Sequence, residues 1–204
     1  CWLNDDGYLV MSDNGTDTIV MHTSDIRIPG VHNIENYMAA ICAVWESVEP
    51  EQIRNFARAF GGVAHRCELV RERHGVCWYN DSIGSSPSRT IAGLKAFSQK
   101  VVLIAGGYDK HIPYDPLGPV AADTVRCAIL MGATADAIEK AIRAHSDLPI
   151  IRVANMGEAV NTAASIATEG DIIFMSPASA SFDMYKNFEV RGNHFRDLVN
   201  ALPD

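Results

Sequence analysis

Residues 171–195 read DIIFMSPASASFDMYKNFEVRGNHF, and the predicted fold depends on this stretch. The apolar run at residues 171–175 is typical of a strand buried on both faces. It leads into a serine-rich turn, after which we expect a polar helix over residues 182–202. In open α/β sheets, ligands bind where a strand ends and a helix begins, because the first N–H groups of a helix lack partners and attract anions. The stretch therefore favours a ligand site, with a serine that merely caps the last helix as the alternative.

Upstream of this stretch, short apolar runs alternate with helical patterns. The predicted strands cover residues 67–72, 76–80, 101–105, 127–131, 150–153 and 172–175, and the predicted helices between them cover residues 88–97, 133–144 and 156–167. A turn at His74-Gly75 joins the first two strands. Strands that alternate with helices imply crossover connections, so we predict an α/β fold with a Rossmann-like, doubly wound, mostly parallel sheet.

The first 62 residues follow a different pattern. Asn14-Gly15 separates two short strand-like runs and predicts a hairpin. Helical spacing follows over residues 33–48, with Asn33 as the N-cap, and again over residues 51–60. We place a domain boundary at Gly61-Gly62, since paired glycines suit a helix C-cap and a hinge.

The chain begins with Cys1 and not with Met, and a lone hairpin cannot bury a core. We therefore expect residues 1–62 to be the truncated tail of a larger domain and residues 63–204 to be a domain of their own.

The composition excludes several classes of protein. The chain has 204 residues, 48% of them hydrophobic, and a formal net charge of −8 without a basic stripe, which argues against nucleic acid as a partner. No apolar run reaches the roughly 18 residues of a membrane-spanning helix, and no signal peptide is recognisable, so we expect a cytoplasmic protein. The five cysteines form no C-x-x-C pair, which is typical of reduced thiols and does not predict a metal site.

Three loops that follow predicted strands carry candidate functional residues. The first is NDSIGSSP at residues 80–87, the second is GGYDK at residues 106–110, and the third is the serine-rich stretch. In the second loop two glycines let backbone approach a ligand, and Lys110 adds a positive charge. Arg66, just past the domain boundary, could place a guanidinium on a phosphate. The alternatives are a capped turn, an exposed lysine and a surface arginine, and the absence of G-x-G-x-x-G argues against NAD.

These motifs occur in a familiar order: PGVHNIEN at residues 29–36, GVAHR at residues 62–66, and then the three loops. In this order and spacing they resemble the Mur ligases over nearly the whole chain from residue 29 on, and among them the members that add D-glutamate. The resemblance implies a three-domain cytoplasmic enzyme of peptidoglycan synthesis, which serves cell-wall biogenesis, cell shape and cell division. Residues 1–62 would be the tail of its central P-loop ATP-binding domain, and residues 63–204 would be its amino-acid-binding domain.

The resemblance also implies a reaction, in which an ATP-dependent, ADP-forming ligase adds D-glutamate to UDP-N-acetylmuramoyl-L-alanine through an acyl phosphate. By motif match, Asn33 and Asn36 would contact adenine, Asp81 the ribose and Arg66 the phosphates. The D-glutamate site would comprise Lys110, which is also the catalytic candidate, with Ser181, the N–H of Phe182, Ser85 and a wall formed by Phe188.

Two departures from the family pattern concern this site. Ile83 stands where many members have a lysine, which leaves Lys110 with more of the charge, and Ser85 stands in place of a threonine.

The G-K-[ST] phosphate loop, the magnesium ligands and the first domain of the family have no counterpart in the 204 residues. We therefore expect ATP and Mg to act in the intact enzyme, and the chain alone to be inactive and to bind no cofactor. The alternatives are another Mur ligase, a ligase like folylpolyglutamate synthetase, and a non-catalytic Rossmann-like binding module.

Overall fold

The computed structural model describes residues 1–28 and 30–203. The chain divides into two compact units, Cys1–Gly62 and Val63–Asp204, and each has a hydrophobic core of its own. Pro29, which opens the first family motif, and Asp204 lie outside the described residues.

The first unit contains a three-stranded antiparallel sheet. Its strands are β1 (Trp2–Leu3), β2 (Tyr8–Asp13) and β3 (Thr16–His22), in the order β1-β2-β3, and a short 3-10 helix follows at Thr23–Asp25. The predicted hairpin is confirmed, because Asn14 and Gly15 connect β2 and β3 with φ values of 47° and 80°. Positive φ at both central residues is what a tight type I′ turn requires. Strand β1 was not predicted.

Two helices, α1 (Val31–Val44) and α2 (Pro50–Ala59), contribute to the same core as this sheet. Asn33 was predicted as the N-cap of α1, and this was wrong, since Gly30 occupies that position and Asn33 lies inside the helix. Helix α2 begins with a capping box, in which the Glu49 N–H donates to Gln52 Oε1 at 3.0 Å.

The second unit contains a six-stranded sheet with the order β4-β5-β9-β6-β7-β8. Its strands are β4 (Glu68–Arg73), β5 (Val76–Asn80), β6 (Val101–Ala105), β7 (Val125–Leu130), β8 (Ile150–Arg152) and β9 (Ile172–Met175). The β4–β5 hairpin is antiparallel and the other neighbouring pairs are parallel. The last strand in sequence, β9, thus lies in the middle of the sheet.

Helices cover both faces of this sheet. They are α3 (Pro87–Leu94), α4 (Leu117–Thr124), α5 (Ala135–Arg143), α6 (Met156–Ile166) and α7 (Phe188–Asn200). The first three pack on one face and the last two on the other. Residues of β9 alternate between the two cores, with Phe174 on the side of α3 and Met175 on the side of α7. The predicted α/β class with a mostly parallel sheet is confirmed.

Two helix predictions in this unit need correction. Helix α7 begins at Phe188 and not at residue 182, because Asn187 Oδ1 accepts from the Val190 N–H at 2.8 Å and caps the helix there. Ser181 therefore lies in a turn before the helix, not at its N-terminus. Helix α4 was not predicted, since Gly118 and Pro119 are typical helix breakers, but a proline is tolerated in the first turn.

Two leucines of this sheet differ in burial, so their substitution by alanine should differ in its effect on stability. Leu103 in β6 is fully buried, whereas Leu69 in β4 is 49% exposed. We expect Leu103→Ala to lower the free energy of unfolding by about 2–5 kcal/mol, and Leu69→Ala by less than about 1 kcal/mol. Urea unfolding of the 204-residue chain, followed by circular dichroism, measures both. Equal losses would contradict the placement of β6 at the centre of the core.

Candidate functional site

The carboxyl ends of the parallel strands bring three loops together. They are the β5 loop (residues 81–86), the β6 loop (residues 106–116) and the β9 loop (residues 176–187). Lys110 Nζ donates to the Ser85 carbonyl at 3.1 Å and so joins the β6 loop to the β5 loop. The Tyr108 N–H donates to the Ala180 carbonyl at 2.9 Å and joins the β6 loop to the β9 loop. The three predicted functional loops thus form one continuous edge.

The residues predicted for D-glutamate lie along this edge. Lys110 and Phe182 are exposed, Ser85 is half-buried and Ser181 is buried. Among residues 1–28 and 30–203, neither the Ser181 hydroxyl nor the Phe182 N–H has a hydrogen-bond partner. These two adjacent donors remain available to a ligand.

Phe188, the predicted wall, is the first residue of α7 and is half-buried. Its carbonyl accepts from Ser82 Oγ at 2.7 Å, and its ring meets the ring of His65 edge-on at 6.0 Å. The residue is therefore fixed on its backbone side by the β5 loop.

The other two serines of the β9 loop are used internally. Ser176 Oγ donates to Asp81 Oδ2 at 2.7 Å. Ser179 Oγ lies 2.9 Å from Tyr114 Oη and 2.8 Å from Thr134 Oγ1, and these contacts tie the loop to the β6 loop and to the start of α5. Between them Ala178 has a φ of 56°, which is unusual for a residue other than glycine. The loop is thus held on both sides of Ala178, while the Ser181 hydroxyl has no hydrogen-bond partner within residues 1–28 and 30–203.

The buried side chain of Arg191 in α7 connects the β5 and β9 loops. Its side chain donates to the Ser82 hydroxyl at 3.0 Å and to the Ser82 carbonyl at 2.8 Å. It also donates to the carbonyls of Ser179 and Ala180, at 3.1 and 3.0 Å. Arg191 is only 1% exposed, and within the part of the chain that the structure describes it forms no ion pair. Burial lowers the pKa of Arg191 to about 10, so the group stays charged at neutral pH and its cost of burial is offset by these hydrogen bonds.

Asp81 points into the protein. Its Oδ1 accepts from the Cys67 N–H at 3.2 Å while Oδ2 accepts from Ser176. Burial raises the pKa of Asp81 to about 6, and the hydrogen bonds from Ser176 and Cys67 oppose this rise. Both carboxylate oxygens thus have partners inside the protein, and the contact of Asp81 with a ribose stays a prediction.

The other residues predicted for the nucleotide are divided between the units. In α1 of the first unit, Asn36 Nδ2 donates to Asn33 Oδ1 at 3.4 Å, and Asn33 is buried whereas Asn36 is exposed. In the second unit Arg66 is exposed, and its charge favours the ionised form of Asp81. The nucleotide roles of these residues also stay predictions.

Sequence reasoning missed the buried residues that hold the loops, above all Arg191, Ser179 and Thr134. One signal could have revealed Arg191, since it lies four residues before the buried Phe195 and therefore on the apolar face of α7. A charged residue on the apolar face of a helix indicates that its side chain is buried and forms polar contacts there.

Within the described residues, no group of three or more His, Cys, Asp and Glu side chains could hold a metal ion. No helix in the same ranges is long and apolar enough to cross a membrane.

Because Arg191 holds the β5 and β9 loops together, we expect Arg191→Met to reduce stability strongly. Among the described residues, the substitution would leave the buried Ser82 and Ser179 carbonyls without a donor and the Ala180 carbonyl with the Tyr108 N–H alone, so we expect the free energy of unfolding to fall by about 3 kcal/mol. Arg89→Met, on the exposed side of α3, is the matched control and should change it by less than about 1 kcal/mol. Similar urea midpoints for the two variants would show that the buried hydrogen bonds contribute little.

The carboxyl of Asp81 predicts a pH dependence of stability. Its pKa is raised from 3.8 to about 6 in the folded state, so between these values the folded state binds more protons than the unfolded state. Stability from this group is present below about pH 4 and is lost as pH rises through 6. We expect the free energy of unfolding of the wild type, relative to Asp81→Asn, to fall by roughly 2–3 kcal/mol from pH 4 to pH 7. A constant difference across that range would rule out the raised pKa.

The chain is similar to known proteins over most of its length. Residues 65–179, more than half of the chain, match the family described as Mur ligase, glutamate ligase domain. The UDP-N-acetylmuramoylalanine–D-glutamate ligase of Acetivibrio thermocellus is 54% identical over 204 residues, which cover 97% of this chain and 44% of that protein. The enzyme of the same name from Ruminiclostridium cellulolyticum is 51% identical over 96% of this chain and 44% of its own length. The chain thus spans less than half the length of these relatives.

Solved structures show the same fold at low identity. The UDP-N-acetylmuramate-alanine ligase MurC from Thermotoga maritima superposes with a TM-score of 0.66 at 11% identity, over 86% of this chain and 39% of that one. The MurF ligase from Thermotoga maritima, solved in complex with ADP, gives a TM-score of 0.60 at 14% identity, over 98% of this chain and 44% of that one. Because its glutamate ligase domain matches residues 65–179, more than half of the chain, this chain belongs to the Mur ligase family.

Proposed function

We propose that this chain is part of an ATP-dependent ligase that adds D-glutamate to UDP-N-acetylmuramoyl-L-alanine in the cytoplasm. The names and identities of the relatives, 54% and 51%, support the choice of amino acid. We also propose that residues 1–62 belong to the ATP-binding domain of that ligase and that residues 63–204 bind the amino acid.

One observation carries the proposal for the site. Lys110, Ser85, the Ser181 hydroxyl and the Phe182 N–H belong to three loops that direct hydrogen bonds join into one edge, and the last two groups have no partner among the described residues. D-Glutamate carries two carboxylates, and carboxylates are bound best by cations and by N–H or O–H donors. The edge offers an exposed ammonium at one point and two unpartnered donors at another, which suits a dicarboxylate better than an amino acid with an apolar side chain.

Lys110 carries the positive charge of this proposed site. The position at which many family members have a second lysine is Ile83 here, whose N–H donates to the His65 carbonyl at 3.1 Å. No charge from residue 83 can reach a ligand, so the ammonium of Lys110 should dominate the electrostatic attraction to the substrate carboxylate.

The reaction that follows from this proposal proceeds in two steps. The terminal carboxylate of the precursor attacks the γ-phosphorus of ATP, which releases ADP and gives an acyl phosphate. The D-glutamate amine then attacks the acyl carbon, loses a proton and displaces inorganic phosphate, so that an amide is formed. The residues of this edge would hold the two carboxylates of D-glutamate so that its amine faces the acyl phosphate, which lowers the entropic part of the barrier.

The nucleotide would be bound by other residues of the chain. We propose that the exposed guanidinium of Arg66 contacts the phosphates and that Asn33 and Asn36 contact the adenine. No residue of the described ranges is assigned to magnesium, and none of the steps above is routed through it.

The test is a ligase assay on the full-length gene product with ATP, UDP-N-acetylmuramoyl-L-alanine and D-glutamate. Lys110→Ala and Ser181→Ala should each raise the KM for D-glutamate roughly tenfold or more, because each removes a hydrogen bond to a charged group. The KM for ATP should stay near the wild-type value.

Matched controls are available for both substitutions. Lys100 precedes β6 at the opposite edge of the sheet, where its Nζ donates to the Ala122 carbonyl at 3.0 Å, and Lys100→Ala should leave the KM for D-glutamate unchanged. Ser165 lies on α6, and Ser165→Ala is the control for Ser181→Ala that should likewise leave the KM for D-glutamate unchanged. Turnover with a different amino acid in place of D-glutamate would overturn the substrate, and normal kinetics in both site variants would overturn the site.

A further inference from the structure

His65, which precedes Arg66, has an unusual backbone. Its φ is 65°, in the left-handed region that residues other than glycine seldom occupy, and Cys67 two residues on has a φ of 44°. His65 is also buried, with 7% of its surface exposed. Such a conformation costs free energy and persists only where the surrounding structure enforces it, often at a functional site.

Three hydrogen bonds enforce it. The His65 N–H donates to Glu68 Oε2 at 2.8 Å, and the His65 carbonyl accepts from the Ile83 N–H at 3.1 Å. Asn80 Nδ2 lies 3.0 Å from His65 Nδ1, and because an amide nitrogen can only donate, Nδ1 is the acceptor. The neutral ring therefore carries its proton on Nε2.

The ring also needs space that a glycine provides. Gly192 in α7 faces the ring so closely that an added Cβ would overlap His65 Nδ1 and come within 2.9 Å of Cε1. Asn80 Nδ2 donates to the Gly192 carbonyl at 3.2 Å as well. The ring thus lies between the end of β5 and the first turns of α7.

Two proposed binding residues adjoin this ring. Arg66, proposed for the phosphates, follows His65 directly, so the backbone of His65 sets where the guanidinium emerges. Phe188, proposed for the wall of the D-glutamate site, contacts the ring edge-on with centroids 6.0 Å apart. Both partners lie in the second unit, and His65 is the residue they share.

We propose that His65 is a positioning residue that serves both subsites, because its backbone orients Arg66 and its ring supports Phe188. The inference rests on the proposed function. It predicts that one substitution at His65 weakens the binding of both ATP and D-glutamate, although the two substrates contact different residues.

The test uses the full-length ligase and His65→Asn. Asparagine tolerates positive φ, so the substitution removes the ring while the backbone conformation stays accessible. We expect the KM for ATP and the KM for D-glutamate both to rise, each at least about fivefold, while kcat changes less. A residue that only stabilises the fold would lower the active fraction and leave both KM values unchanged.

A second variant keeps His65 itself. Gly192→Ala should displace the ring and raise both KM values as His65→Asn does. Gly157→Ala is the matched control, since Gly157 lies in α6 and an added Cβ there would meet only Asn155 Oδ1, at 3.2 Å. Arg66→Ala and Lys110→Ala give the reference for a single subsite, and each should raise one KM only.

The outcomes separate the two proposals. A rise in both KM values in His65→Asn and Gly192→Ala supports the shared positioning role. A rise in one KM alone, or a loss of activity with both KM values unchanged, overturns it even if the wild type uses D-glutamate. A wild-type enzyme without D-glutamate-dependent phosphate release would instead refute the proposed function and this inference with it.

Discussion

The hydrogen bonds of the Arg191 guanidinium are the constraint on which the rest of the candidate site depends. They reach the Ser82 carbonyl and hydroxyl in one loop and the Ser179 and Ala180 carbonyls in another. Within the part of the chain that the structure describes, the Ser82 and Ser179 carbonyls have no other donor, whereas the Ala180 carbonyl also accepts from the Tyr108 N–H. A charged donor forms stronger hydrogen bonds than a neutral one. The cation also lies under the edge at which the proposed substrate is an anion, so its long-range field has the favourable sign.

The three serines of the β9 loop have different roles, two of them structural and one proposed for binding. Ser176 and Ser179 are consumed by contacts with Asp81, Tyr114 and Thr134, and these contacts hold the chain rigid around the strained Ala178. Rigidity here matters because a loop that is already ordered loses little entropy when a ligand binds. The Ser181 hydroxyl, which has no hydrogen-bond partner among the residues that the structure describes, is thereby presented in a fixed place.

Local patterns explain which parts of the fold could be predicted. The strands β5, β6 and β9 are short apolar runs bounded by turns, and Asn14-Gly15 is a strong hairpin signal, so these elements followed from the sequence. The start of α7 was missed because residues 182–186 look helical in composition, although Asn187 three residues before Val190 is the true cap. Helix α4 was not predicted, and its Gly118 and Pro119, which commonly interrupt helices, lie in its first turn, where a proline is tolerated.

The site was predictable only in part, for a related reason. Lys110, Ser85 and Ser181 follow strands or lie in turns, so topology alone brings them to one edge. Two further contacts join residues more than a hundred positions apart, namely Arg191 with Ser82 and His65 with Gly192. No local pattern specifies such pairs, because they depend on how closely α7 packs against β5.

The central position of β9 also affects the order in which the unit can form during synthesis. Strands β5 and β6 each pair with β9, so a nascent chain that ends before residue 172 carries the two halves of the sheet without the strand that joins them. Until then the inner edges of both halves present unpaired N–H and carbonyl groups, the kind of surface that promotes misassociation. Residues 172–191 supply this strand, the β9 loop and Arg191 together. Completion of the sheet and assembly of the binding edge are therefore one event, which occurs only when residues 172–191 have left the ribosome.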